Sequence, residues 1–334
     1  MNELNKIRFG IIGTGAIVDK ILAAAKLDPR FVPAAIYSRT QERADEFAQK
    51  HAIPHTFTSL EDMAASSLID AVYIASPNAL HARQSILFMQ HGKHVLCEKP
   101  LASNAREVKE MLAASEKYCV TLMEAMKPTL TPNFSVIKKH IQEIGVIRRY
   151  FSCYCQYSSR YDKLKERVVL NAFDPKLSNG ATMDLGVYTI YPMVVLFGRP
   201  KKISASGLKL FTGADGQGSV NFEYGKMNAT ALYSKIADSN LPTEIQGEEG
   251  TIISDRINII NKVTFKKRGG NEIIISAPLS TDEYYYEIAE FLNLIQAGKR
   301  ESDINSHENS LITIEITDEI RRQLGIVYPA DKMC

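Results

Sequence analysis

The chain has 334 residues, of which 45% are apolar and 23% are Lys, Arg, Asp or Glu. That balance belongs to a folded globular protein and excludes a disordered or collagen-like one, while the length favours two domains over a single core. Forty basic against 38 acidic side chains leave a net charge of +2, so no overall field attracts nucleic acid or an anionic membrane.

The N-terminus reads MNELNKIRFGII and lacks the long apolar segment of a secretory signal. No apolar run approaches the roughly 18 residues of a spanning helix, so a cytoplasmic protein is expected. Its five cysteines, Cys97, Cys119, Cys153, Cys155 and Cys334, are sparse and odd in number. Reduced thiols fit better than a disulfide scaffold. Cys153 and Cys155 would share one face of a strand and read as packing residues. No CxxC and no nearby His completes a metal site around them, so no metal is expected.

In chain order, Ile7–Ile12 is a short apolar run ending in glycines, Ile17–Lys26 is helical in pattern, Phe31–Tyr37 a strand and Thr40–Lys50 a helix. Ala71–Ala75 (AVYIA) is a buried strand, Leu80–Gln90 helical and His94–Cys97 extended. Ser103–Lys117 is a helix with Ser103 as its N-cap, and Val120–Met123 a last short strand. This alternation predicts a parallel sheet covered by helices, with every strand's C-terminal end on one edge. After about residue 122 the pattern changes. A helix at Thr131–Gln142 and an extended stretch at Val146–Gln156 precede irregular helical pieces up to Phe197. Strand-like runs with Gly-rich or Asn-rich turns then fill Ile203–Ser276 in the manner of an antiparallel sheet. Helices at Tyr285–Gln296 and Ser306–Leu324 close the chain, the second capped by Ser306 and ended by Gly325. The fold class is α/β: a Rossmann-type doubly wound parallel sheet over residues 1–122, then an α+β domain over 123–334 with a large open, mainly antiparallel sheet.

Gly13-x-Gly15 stands directly after a strand and before a helix. Gly13 permits a tight turn, Gly15 lets backbone approach a pyrophosphate, and the following helix offers unpaired N–H groups to the anion. The third fingerprint position falls on Val18. The second strand ends Tyr37-Ser38-Arg39-Thr40, without the acid that grips a ribose 2′-OH in NAD sites. Ser38 can donate a hydrogen bond and Arg39 can pair with a 2′-phosphate, which favours NADP and leaves NAD possible.

Ala75-Ser76-Pro77-Asn78 and Cys97-Glu98-Lys99-Pro100 both end strands at the ligand edge of the predicted sheet. Pro77 can shape its loop against a nicotinamide. Asn78 can bond the cofactor or cap the next helix, and His81 lies one turn inside that helix. Lys99 would enter the mouth of the cleft, where an ammonium stabilises negative charge developing on a carbonyl oxygen. Glu98 can hold Lys99 or a cofactor ribose. In the second half, Asp184 and Tyr188 are four residues apart and share a face if helical. Tyr188 can exchange a proton with the reacting oxygen, and Asp184 can orient a substrate hydroxyl. Tyr191 and Tyr154 read as wall or core.

These residues resemble the glucose–fructose oxidoreductase/inositol dehydrogenase/MocA family over nearly the whole chain. The likeness is carried by Glu98-Lys99-Pro100, GIIGTGAI at Gly10–Ile17, ASPNALH at Ala75–His81, MDLGVY at Met183–Tyr188 and IQGEEGTI at Ile245–Ile252. It is closer to the dimeric dihydrodiol dehydrogenase and NADP-linked xylose dehydrogenase branch. Where that branch often has an aromatic-and-arginine segment, this chain reads Glu124-Ala125-Met126-Lys127-Pro128, and it has no tryptophan. The resemblance implies an NAD(P)-dependent oxidoreductase exchanging hydride with a small sugar, polyol or dihydrodiol-like substrate, with Lys99, Tyr188 and Asp184 as catalytic residues. It implies cofactor contacts from Gly13, Thr14, Gly15, Ala16, Ile17, Ser38, Arg39, Ser76, Pro77, Asn78, His81, Glu98 and Lys99. It also implies a trans–cis change at the Lys99–Pro100 bond and a homodimer formed through the open sheet, whose second face must be covered or remain polar. The competing reading is a sensor of the same fold that binds a dinucleotide without turnover.

Overall fold

The computed structural model describes residues 6–279 and 281–332; Cys334 lies outside the described residues. The chain divides into two compact units, residues 1–125 with 281–307 and residues 126–280 with 308–334.

The first unit is built on β1 (Ile7–Ile12), β2 (Phe31–Tyr37), β3 (His55–Phe57), β4 (Ala71–Ile74), β5 (His94–Glu98) and β6 (Leu122–Ala125). All pairings are parallel, in the order β3-β2-β1-β4-β5-β6. The order reverses between β1 and β4, which opens a crevice at their C-terminal ends. Between the strands run α1 (Ala16–Ala25), α2 (Gln41–His51), α3 (Leu60–Ala65), α4 (His81–Gln90) and α5 (Ala105–Tyr118). The short β3 and α3 carry too few periodic residues to stand out in the sequence. The cap of α5 differs from the expected Ser103: Asn104 accepts from the Glu107 N–H at 3.0 Å, because the chain stays non-helical one residue longer. The last strand likewise begins at Leu122 rather than Val120, whose N–H is still bonded to the Ser115 carbonyl at 3.2 Å.

β5 carries Glu98 at its end, and its first residue titrates against the fold. The Thr121 N–H donates to His94 Nδ1 at 2.9 Å, so that nitrogen must be unprotonated. Burial pushes the imidazole below its ordinary 6.5, against the opposing pull of Asp70. The sign follows: a depressed folded value contributes stability above the unfolded value, and that stability is lost as pH falls through the folded one. Urea unfolding of wild type and His94→Asn should therefore show a wild-type advantage that shrinks between about pH 7.5 and about pH 5.5. A constant gap would remove His94 as the titrating group.

The second unit opens with α6 (Pro132–His140), whose cap Thr131 accepts from the Phe134 N–H at 3.4 Å. It continues with β7 (Ile147–Cys155), α7 (Tyr161–Lys165), a π-helical turn at Thr182–Gly186 and α8 (Val187–Phe197). The meander follows: β8 (Lys202–Lys209), β9 (Asp215–Glu223), β10 (Asn228–Ser234), β11 (Thr243–Gly247), β12 (Gly250–Ser254), β13 (Val263–Lys267) and β14 (Glu272–Ile274). These form an eight-stranded sheet ordered β14-β13-β12-β11-β7-β10-β9-β8. It is mixed rather than wholly antiparallel, since β10 pairs with β7 in parallel. Alternate residues of β9 and β10, among them Val220, Phe222, Ala229, Ala231 and Tyr233, turn into one core with Phe134, Tyr150, Ile190 and Met193. On β7, Cys153 and Cys155 share a face with their sulfurs 3.7 Å apart.

One stretch, Pro175–Phe197, departs from the expectation that no segment is long and apolar enough to span a membrane; 72% of its most apolar window is buried inside the fold, so it reads as a core segment. The chain then returns to the first unit. There α9 (Glu283–Gln296) buries Tyr284, Ile288, Phe291, Leu292 and Leu294, and Phe291 meets the Phe9 ring at 6.0 Å. Arg30 donates to Asn293 and Gln296, each at 2.8 Å, and the Leu122 N–H bonds the Arg300 carbonyl at 3.0 Å. Finally α10 (His307–Leu324) contributes Ile312, Ile316 and Ile320 to the second core.

Candidate active site

In the first unit the strand ends bring three loops together. Gly13 has φ +119°, a conformation that glycine adopts without strain, and a Cβ there would lie 2.6 Å from the Ala75 carbonyl oxygen. The glycine loop can therefore press against the end of β4. A Cβ on Gly15 would meet nothing within 4 Å, so the space above this backbone is open, as close approach of a phosphate requires. The N-cap of α1 is Gly15, which has no side chain to bond the first N–H groups of the helix and leaves them to such a ligand. Thr14, Ala16 and Ile17 lie in this same turn and first helical residues. These observations fit a dinucleotide.

Beside the loop, Ser38 is buried and bonds the Phe57 carbonyl through its N–H at 3.1 Å, while Arg39 is exposed. A second arginine, missed in the sequence, joins them. Arg43 Nε donates to Thr14 Oγ1 at 2.7 Å and Nη2 to the Thr14 carbonyl at 3.5 Å, which places its guanidinium at the glycine loop. Little in the sequence marks it, because Arg39 precedes the extended cap Thr40 and only Arg43 lies in α2, so helical spacing does not relate the two.

The other two loops are braced from behind by His81. Its ring is fully buried, with Nδ1 2.9 Å from the Pro100 carbonyl and Nε2 2.8 Å from the Ser76 carbonyl. Burial lowers its pKa and the Lys99 charge adds to this, while the two carbonyl contacts oppose. His81, expected among the cofactor contacts, is thus placed as a tie between the loop at Ser76 and the loop at Pro100. The Ser76 hydroxyl donates to Gln84 at 2.6 Å. Pro77 is extended and Asn78 opens a single 3-10 turn, Asn78–Leu80, so Asn78 is not the residue that caps α4.

The bond Lys99–Pro100 is cis. Lys99 is half-buried, and its N–H donates to Glu98 Oε2 at 3.3 Å. Glu98 Oε1 accepts from the Tyr73 hydroxyl at 2.6 Å, and burial, reinforced by that carboxylate, raises the Tyr73 pKa well above its ordinary value. Glu124 Oε1 accepts from the Leu101 N–H at 3.0 Å and pins the chain just past Pro100. A lysine held between two anchored residues has a defined backbone from which to present its ammonium.

In the second unit Asp184 and Tyr188 are partly exposed, whereas Thr182, Met183, Leu185, Gly186 and Val187 are buried. The two side chains therefore emerge together from one face. The π-helical turn Thr182–Gly186 positions them, and a buried network fixes that turn. The Thr182 N–H and hydroxyl donate to Asp215 Oδ2 at 2.7 and 2.6 Å, and Thr182 Oγ1 lies 2.9 Å from the Tyr233 hydroxyl. Burial raises the Asp215 pKa, opposed chiefly by Thr182. The Tyr188 ring packs edge-on against Tyr154 with centroids 5.5 Å apart, which makes Tyr154 a wall of the site, whereas Tyr191 is fully buried. Lys235, next after β10 and also missed in the sequence, pairs with Asp184 Oδ2 at 2.8 Å. Nothing in YSKIAD marks that lysine, because its partner lies some fifty residues earlier.

Comparison with known proteins gives the family of this chain. Residues 7–126 match the model of an oxidoreductase family with an NAD-binding Rossmann fold, and residues 137–253 match the GFO/IDH/MocA C-terminal domain. The chain is 52% identical to the scyllo-inositol 2-dehydrogenase (NADP(+)) of Bacillus subtilis over 98% of its own length and 99% of the relative's. This chain belongs to the Gfo/Idh/MocA oxidoreductase family. Within the family it is also 31% identical to a trans-1,2-dihydrobenzene-1,2-diol dehydrogenase of Danio rerio, over 97% of this chain and 99% of that one. Among solved structures, a 3-ketoreductase of Actinomadura kijaniata, in a complex with NADP and TDP-benzene, superposes with a TM-score of 0.83 at 21% identity, over 96% of this chain and 98% of the other, a likeness of fold. Among the described residues of this family member, no group of three His, Cys, Asp or Glu side chains could hold a metal ion.

Proposed function

We propose that this chain is an NADP-dependent dehydrogenase of a small ring polyol or sugar, with Lys99 and Tyr188 as its electrostatic and acid–base pair. The observation that carries the reading is the joint emergence of Asp184 and Tyr188 from one helix face, in a chain whose first unit holds Lys99 at the end of β5. A nicotinamide cofactor, held by the Gly13–Gly15 loop and the Ser38–Arg39 turn, would supply the hydride acceptor or donor for the carbinol carbon. Tyr188 takes up or returns the hydroxyl proton. The Lys99 ammonium stabilises the negative charge on that oxygen. Asp184 accepts a hydrogen bond from a neighbouring hydroxyl and orients the ring. The identity to a scyllo-inositol 2-dehydrogenase supports a polyol over other alcohols. A cytoplasmic homodimer assembled through the open sheet accompanies this reading.

A screen of NADP+ reduction over inositols, aldoses and dihydrodiols is the test, with turnover expected on an inositol. Tight NADPH binding without turnover on any of them would overturn the reading in favour of a dinucleotide sensor. The cofactor assignment has its own check. Arg39→Ala should weaken NADPH binding about ten- to a hundredfold, the worth of a charge-assisted hydrogen bond, and leave NADH binding unchanged. Equal losses for both cofactors in a fluorescence titration would show that Arg39 does not meet the 2′-phosphate.

A further inference from the structure

We propose that Lys235 is a positioning residue of the active site: it holds the Asp184 carboxylate in place and, by balancing its charge, suits the site to the uncharged hydroxyls of a polyol rather than to an amine. The inference rests on the functional reading above and deepens it. The Lys235 side chain is only 2% exposed. Such a lysine is rare unless its charge is paired. Its ammonium meets three groups: Asp184 Oδ2 at 2.8 Å, the Ala172 carbonyl at 2.7 Å and the face of the Phe173 ring, 5.0 Å from its centroid. Of its three donors two meet the Asp184 carboxylate and the Ala172 carbonyl, and its charge also reaches the buried Asp215, so Asp184 is the one carboxylate it pairs with directly.

A purely internal brace would bury both partners, and an apolar pair of the same volume would serve as well or better. Here the Asp184 side chain is 34% exposed, and it emerges with Tyr188. The pair thus runs from the interior to a carboxylate that solvent can reach. A carboxylate alone at that place would favour a cationic partner. Balanced by Lys235, it retains its acceptor oxygens but not its net charge, and vicinal hydroxyls become the matching ligand. The backbone of Lys235 is itself fixed, its N–H donating to the Gly216 carbonyl at 2.8 Å and its carbonyl accepting from the Ser158 N–H at 2.9 Å.

The test is a double-mutant cycle in the full chain with Lys235→Met and Asp184→Asn, assayed with scyllo-inositol and its amino-deoxy analogue. Lys235→Met should lower kcat/KM on scyllo-inositol about 10- to 100-fold, mainly through KM, with NADPH affinity unchanged, and by less than about threefold once Asp184→Asn is present. The same variant should shift the ratio of kcat/KM values toward the amine by at least about tenfold. Independent, additive losses, or an unchanged ratio, overturn the proposal. A second measurement needs neither substrate nor turnover. The nitrogen-15 ammonium resonance of Lys235 in wild type should shift or exchange away in Asp184→Asn, a change on a partly exposed residue that keeps the lysine. An unmoved resonance overturns the pairing. Absence of polyol turnover in wild type instead overturns the functional reading, and the resonance still decides the pair.

Discussion

Lys99→Met is expected to lower kcat on a polyol by on the order of 10²–10³, with NADPH affinity held within about threefold of wild type. The substitution removes the ammonium and keeps most of the side-chain volume. Because Lys99 is half-buried at the end of β5 and its backbone is anchored by Glu98, His81 and Glu124, the apolar replacement leaves the loops tied. What disappears is the charge opposite the developing alkoxide, so the loss belongs in kcat rather than in cofactor binding. Stopped-flow turnover and a fluorescence titration with NADPH separate the two. Normal turnover would dismiss Lys99 from the chemistry, and a parallel collapse of NADPH binding would reassign it to holding the cofactor.

Tyr188→Phe should reduce kcat about 10²–10⁴-fold, the usual worth of a positioned proton donor. The variant keeps the ring, and with it the edge-on packing against Tyr154 at 5.5 Å, so the thermal midpoint should move little. Losing the hydroxyl alone leaves the reacting oxygen without its proton partner. The check is kcat at saturating substrate together with a melting curve. An unchanged rate makes Tyr188 a wall residue like Tyr154. A large fall in melting temperature would make the rate loss uninformative about proton transfer and place the hydroxyl in the fold. Together with the Lys235 cycle, the two substitutions separate charge stabilisation, proton transfer and substrate orientation.

The parallel sheet was legible in the sequence because local chemistry dictates it. Short apolar runs such as AVYIA cannot face water on either side, and helices of suitable period separate them. The glycine loop was legible for the same reason: Gly13 occupies a conformation that other residues adopt only with strain. Lys99, Asp184 and Tyr188 stand out as candidates in the sequence because each lies at a strand end or at helical spacing, and the structure places Lys99 after β5 and Asp184 with Tyr188 around the π-helical turn. Their chemistry comes from residue type, which no fold alters.

Tertiary structure alone decided the rest. The return of residues 281–307 to the first unit depends on Phe291 meeting Phe9, a contact across nearly the whole chain length. The role of His81 was set by two carbonyl oxygens on separate loops, neither visible as a partner in the sequence. Arg43 reaches Thr14 from the next helix, and Lys235 finds Asp184 only when the end of β10 is laid against the π-helical turn, where Tyr233 also meets Thr182. Backbone periodicity and turn glycines are properties of adjacent residues and can be read along the chain. A hydrogen bond or ion pair between distant side chains exists only after folding has brought their atoms within about 3 Å of each other.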